Sequence, residues 1–309
     1  MIIFAIIIGL IIPVQTAVNT KLSVSLKSSL LGSAISFIVG TVFLGLIILF
    51  SKSYLTLTTL QISKYPLWIW TGGIFGVIGL TTNILLFPKI GSIQTVLMPL
   101  IGQILMSAMI DSFGWFGAII HQFNMNKLLG IIFAFGGTIL IIFKKGGNSQ
   151  RQNLKKNAYQ LKWQLLGVFA GACIATQSVV NAKLGSLLSS TVVPAFFSFL
   201  SGSLLLSIIL VVQKKFYISE QANNSRTNHP PLWAWCGGLL GASFVLGNIF
   251  LVPKLGISMS TIAILLGQIS CGVVIDHFGL FSAPINTVNR QKLMGISLLI
   301  ISICVLNIQ

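Results

Sequence analysis

PLWIWTGGIFGVIGLTTNILLFPKIGSIQTVLMPLIGQILMSAMIDSFGWFG, residues 66–117, returns at 231–282 as PLWAWCGGLLGASFVLGNIFLVPKLGISMSTIAILLGQISCGVVIDHFGLFS. The two stretches align without a gap, and 22 of 52 positions are identical. Self-similarity of this length marks an internal duplication. It extends upstream, where QTAVNTKL (15–22) matches QSVVNAKL (177–184) and SFIVG (36–40) matches SFLSG (198–202). The chain therefore reads as two copies of one unit.

Within each copy the dominant signal is length of apolar run. A bilayer-spanning helix takes about 20 mostly apolar residues. Ten runs qualify: segments 1 to 5 at 2–20, 30–50, 67–87, 92–111 and 127–143, and segments 6 to 10 at 163–181, 193–212, 232–252, 257–275 and 292–307. Only two connections are long, 144–162 and 213–231, and both are polar and basic. Met1–Ile12 looks like a signal sequence, but no basic residue precedes it and its repeat partner lies mid-chain, so it reads as a retained helix.

Composition agrees. Of 309 residues, 55% are hydrophobic and 7% charged, against about 25% charged in soluble domains. That excludes an ordinary cytosolic enzyme, a disordered chain and a disulfide-rich secreted module. The expected fold is all-α: a polytopic membrane protein of ten helices, with a first five-helix repeat (1–146), a basic linker (147–162) and a second five-helix repeat (163–309). A unit with an odd number of spans, fused in tandem, places its second copy upside down, the inverted-repeat plan of many transporters.

The net charge of +16 would suggest nucleic acid in a soluble protein. No basic helix or aromatic RNA-binding motif accompanies it, so no nucleic-acid partner is expected. Loops after odd-numbered segments carry 14 Lys and Arg, those after segments 2, 4, 6 and 8 carry 5, and the termini none. The positive-inside rule then puts both termini outside the cell. The six tryptophans sit at segment ends or in adjoining loops, where interfacial anchoring explains them.

Primary amides recur at matched intramembrane positions: Gln15 and Asn19 with Gln177 and Asn181, Asn83 with Asn248, and Gln103 with Gln268. Residues four apart share a helix face, and an amide facing lipid leaves its donors and acceptors unpaired. The eight either line one central site for a small polar or amphiphilic solute, or hydrogen-bond between helices and hold the bundle. Gly72, Gly73, Gly76 and Gly237, Gly238, Gly241 carry GxxxG spacing, read as close helix packing. Gly102 and Gly267 precede Gln103 and Gln268, where they would thin the helix beside a ligand.

Asp111 and Asp276 end segments 4 and 9, while Lys89 and Lys254 follow the prolines that end segments 3 and 8. The derived topology places Asp111, Lys183 and Lys254 outside, and Asp276, Lys21 and Lys89 inside. Two readings stay open. Asp111 with Lys254 and Asp276 with Lys89 form cross-repeat ion pairs that gate the two ends, or each Asp caps the turn after it while the lysines snorkel. No catalytic constellation, metal cluster, cofactor motif or phosphate-binding loop is present in the sequence. The four cysteines read as small hydrophobes.

These motifs, QTAVNTKL, SAISFIVG, WIWTGGIFG, NILLFPKIG, GQI and IDSFGWFG with their second-half counterparts, resemble the YdcZ-like branch of the drug/metabolite transporter superfamily, in its fused two-repeat form. The resemblance implies a multi-pass protein of the bacterial inner membrane that exports small molecules; either a monomer or a homodimer fits the sequence. Small multidrug-resistance relatives use a membrane-embedded glutamate in their first helix. Here Gln15 and Asn19 stand there, so that proton-exchange chemistry does not carry over. The wider superfamily places both termini inside, against the charge count; the six basic residues of 144–162 favour the count. A membrane scaffold and a lipid flippase are the alternative functions.

Overall fold

The structure, a computed structural model, describes residues 1–51, 64–121, 124–142, 154–217, 230–282 and 288–306. Within that set the chain is helical and contains no strand. The first copy gives α1 (Ile2–Ser25), α2 (Ser29–Phe50), α3 (Gly72–Phe113) and α4 (Met125–Ile142). The second gives α5 (Leu154–Leu188), α6 (Val192–Tyr217), α7 (Gly237–Leu255), α8 (Ile257–Phe278) and α9 (Arg290–Leu306).

The helix ends repeat as faithfully as the sequence. Ser28 Oγ accepts from Leu31 N–H at the start of α2, and Ser190 Oγ accepts from Val193 N–H at the start of α6. Asn124 and Asn289 cap α4 and α9 by accepting from Lys127 and Lys292 N–H. Such side chains satisfy backbone donors that a helix start leaves free. Gly114 and Gly279, both left-handed, terminate α3 and α8. Pro66 and Pro231 each open a short 3-10 turn ahead of α3 and α7.

Segments 3 and 4 appear as the single 42-residue stretch α3. Run straight, it would extend about 63 Å, twice the hydrocarbon core of a bilayer. It folds back instead. A methyl built on Gly167 of α5 would lie 3.1 Å from Leu86 Cδ1 and 2.7 Å from Met98 Cβ. Twelve residues of straight helix separate their Cα atoms by about 18 Å, so the chain reverses between Leu86 and Met98. In the second copy the reversal falls at Gly256, with φ 75°, between α7 and α8. The linker is shorter than expected, since α5 begins at Leu154 and takes up the last residues of 147–162.

Six described helical spans are long and apolar enough to cross a membrane: α1, α2, 160–188 of α5, 192–213 of α6, 232–255 and 257–275. Met98–Phe113 and Met125–Leu140 are shorter apolar helices. Large hydrophobic side chains face outward, among them Ile3, Leu49, Phe50 and Val211, each more than 70% exposed. An aqueous surface does not carry such a belt; a polytopic membrane protein does.

Helices of the two copies interlock. Glycines of α7 pack on α1 and α2, and glycines of α3 pack on α5 and α6. One apolar core gathers around Phe37 and Phe199, matched residues of α2 and α6 whose ring centroids are 5.2 Å apart. A second joins α1, α8 and α9 through Ala5, Leu266 and Leu299. A third, smaller one closes one end with Ile110, Val179, Ala182, Val252 and Ile257.

Candidate functional site

The four amides of the QxxxN motifs flank the Phe37–Phe199 pair, and the glycines of the other repeat make room for them. A Cβ on Gly241 would reach 2.5 Å from Gln15 Nε2, and one on Gly76 would reach 2.5 Å from Gln177 Nε2. Asn19 Oδ1 lies against Gly237, and Asn181 Oδ1 against Gly72, too closely for any Cβ. Gly73 and Gly238 instead approach the backbones of α6 at Ser198 and α2 at Ser36. The GxxxG glycines therefore do two jobs. One of each set admits neighbouring backbone, and the two around it seat amide side chains from across the repeat boundary.

Matched amides differ in their bonding. Asn181 Nδ2 donates to Ser198 Oγ at 3.1 Å and Gln177 Nε2 donates to the same oxygen at 3.3 Å. Asn19, also 2% exposed, has neither amide atom hydrogen-bonded among the described residues. Asn248 Nδ2 donates to Ser178 Oγ at 3.0 Å, joining α7 to α5. Its counterpart Asn83 has an unpaired buried Oδ1, and Thr16, the counterpart of Ser178, bonds only back to Ile12 of its own helix. Gln103 and Gln268 are half-buried and sit at another level. The neighbouring Gly267 packs on Ile6 and Gly9 of α1, about two turns from Gln15, so these two do not join the four.

The same inequality runs along the helix faces. On α5, Val179 and Ala182 are 2% and 3% exposed. On α1 the matched Ala17 is half-buried and Thr20 is exposed. The end of the molecule at α5 and α7 is thus sealed, whereas the matched face of α1 is more exposed.

Asp111 lies at the sealed end and is 3% exposed. Its Oδ1 accepts from Ile257 N–H at 3.0 Å and its Oδ2 from Ser258 N–H at 2.7 Å. These are the first two residues of α8, whose preceding residue, Gly256, has no side chain to cap them. The carboxylate of one repeat thus caps a buried helix start in the other, where it also meets the positive end of the helix dipole. Both sequence readings of Asp111 need correction. It caps a distant helix rather than the turn after it, and it is not paired with Lys254, whose Nζ sits 3.6 Å over the Phe250 ring. The carboxylate oxygens turn to the backbone of α8, and Lys254 stays exposed on its own helix. The side chains of Asp276 and Lys89 lie outside the described residues.

Two lysines escaped the sequence reading. Lys127 and Lys292, at matched positions in α4 and α9, are 1% and 6% exposed. Lys127 Nζ donates to Ser112 Oγ at 3.2 Å and to the His121 carbonyl at 3.1 Å. His121 Nδ1 in turn lies 3.9 Å from Asp111 Oδ1. The matched Asn-x-x-Lys spacing, NMNK against NRQK, was the available signal. Each had been counted as a loop cation, one on either side, so the charge bias becomes 13 against 4 and keeps its sign. Lys183 Nζ reaches over to the Gly117 carbonyl at 3.1 Å. Beside these groups is a cavity of about 250 Å³, lined by Asp111, Ala118, Val179, Lys183, Val252 and Pro253 among others.

No group of three or more His, Cys, Asp and Glu suited to a metal occurs among the described residues. No curated protein matches the chain. A solved crystal structure, described only as "Crystal structure of protein", shares the fold with a TM-score of 0.63 at 14% identity over 98% of each chain. A family model described as "Putative inner membrane exporter, YdcZ" matches residues 1–140 and 162–305, one segment in each copy. The chain belongs to this YdcZ family of the drug/metabolite transporter type, a family of inner-membrane exporters and not of enzymes.

Proposed function

We propose that the protein is a secondary exporter or facilitator of small polar or amphiphilic solutes, working by alternating access between inverted repeats 1–146 and 163–309. The solute binds in the layer of Gln15, Asn19, Gln177 and Asn181, with Asn83, Asn248, Gln103 and Gln268 as outlying groups. Both termini face outside. The observation that carries this reading is Asn19. A buried carboxamide with donor and acceptor unused costs about 1–3 kcal/mol per unmet group, and a solute that takes up those bonds recovers the cost. Amides serve a polar or zwitterionic solute without selecting the sign of its charge.

The test is a thermal-shift screen of the purified protein against metabolites, lipids and cationic drugs. A ligand present at 100 times its Kd raises stability by about 2.7 kcal/mol. Wild type gains this shift with at least one compound, and a folded Asn19→Leu, Asn181→Leu double variant loses it. A double variant that keeps the shift removes the amides from the site. A protein that no compound stabilises supports the scaffold reading instead.

A further inference from the structure

We propose that Asp111 is a latch, a positioning residue that holds one end of the transport pathway shut by capping α8 across the repeat boundary, and that Asp276 latches the opposite end in the opposite state. The proposal rests on the alternating-access reading and adds what holds each state.

The argument starts from the helix start. Ile257 and Ser258 are 1% and 4% exposed, so this helix start is buried. Gly256 offers no side chain, and both donors are met by the two oxygens of Asp111, which belongs to the other repeat. Hydrogen bonds to an ionised acceptor are stronger than neutral ones, and these two exist only while the end of α3 and the start of α8 stay together.

The surroundings close on the same point. Ile110, next to Asp111, packs with Val179, Ala182, Val252 and Ile257, so the apolar seal and the cap share residues. The ionisable groups facing the carboxylate are His121 on the following loop, Lys127 on α4 and Lys183 on α5. Lys127 is itself fixed to Ser112 and to the His121 carbonyl, which keeps the loop folded over Asp111.

The second repeat carries the same elements at the same spacing. IDSFG becomes IDHFG, and PKIG becomes PKLG. An Asp for the opposite end is therefore present in the chain, and on α1 the matched Thr16 and Thr20 are exposed.

The experiment uses full-length protein in detergent, where a maleimide reaches both ends whatever the orientation. In a background free of Cys173, Cys236, Cys271 and Cys304, single cysteines are placed at Ala182, on the sealed face, and at Thr20, its counterpart on the open face. Thr20→Cys labels fast and Ala182→Cys slowly. Asp111→Asn raises the Ala182→Cys rate by about tenfold, a shift of about 1.4 kcal/mol, and slows Thr20→Cys, whereas Asp276→Asn leaves Ala182→Cys slow. Ser258→Pro, which deletes one capped N–H where a helix start tolerates proline, acts in the same direction as Asp111→Asn and covers the case of an unstable carboxamide variant. The latch is overturned if Ala182→Cys stays slow in both Asp111→Asn and Ser258→Pro, if Asp276→Asn speeds it equally, or if both positions speed up together. No solute is added, so the outcome is independent of whether any compound binds the amides.

Discussion

Replacing Gly102 with alanine pushes a methyl group into the backbone of α5. Its Cβ would overlap the Val168 carbonyl oxygen and stand 2.8 Å from the carbonyl carbon and 3.0 Å from Ala172 N. Carbon atoms settle at about 3.5 Å or beyond, so α3 and α5 must part by about 0.7 Å or more. Both sides of the contact are helical backbone, and neither can turn aside as a side-chain tip would. Overpacking of this kind costs about 1–3 kcal/mol, against about 1 kcal/mol gained from alanine's helix propensity. Gly267 is its counterpart on α8, where a Cβ would stand 3.0 Å from Ile6 carbonyl carbon and 3.0 Å from Gly9 Cα. Gly272, one turn further along α8, has nothing within 4 Å of a built Cβ. The assay is thermal unfolding of purified protein in detergent. Gly102→Ala and Gly267→Ala should each melt below Gly272→Ala by about 1–3 kcal/mol, roughly 2–6 °C at about 2 °C per kcal/mol. If Gly272→Ala falls as far as the other two, backbone approach is not what these glycines provide. Unchanged melting in all three would refute the packing argument outright.

Ser198→Ala removes the oxygen that accepts from both Gln177 and Asn181. It should cost about 1–3 kcal/mol in the same assay, and clearly more than Ser36→Ala, because Asn19 makes no matching bond. Equal losses would mean that the two repeats are not bonded differently. Reporter fusions within residues 148–156 should report the cytoplasmic side, as the bias of 13 loop cations against 4 requires; an external signal refutes the orientation.

Much of this architecture is readable from residue order. Gapless identity between 66–117 and 231–282 sets the duplication, and the ends of the helices follow from local chemistry at Ser28, Ser190, Gly114 and Gly279. The pairing of Gln15 with Asn19 on one face needs only the helical period. Their seats on Gly241 and Gly237 were not legible, because a GxxxG stripe looks the same whether it receives a backbone or an amide. Lys127 was misplaced for a similar reason. A lysine at the edge of an apolar run reads as interfacial, and only the loop folding over it at His121 shows the burial. The Asp111–Lys254 pairing failed because opposite charges on one side of a membrane are a weak constraint, while an uncapped buried helix start is a strong one.

The sequence by itself determined that this is a duplicated, helical membrane protein, because repeats, apolar run lengths and caps are local properties that survive without knowing any contact. Tertiary structure alone decided which residues meet across the repeat boundary, and so where Asp111 goes and why Asn19 is left unpaired. It also decided the inequality between the halves. Two copies of one repeat cannot say which amides are bonded and which end is sealed, since similar local preferences hold in both. Only packing between the two copies breaks the symmetry.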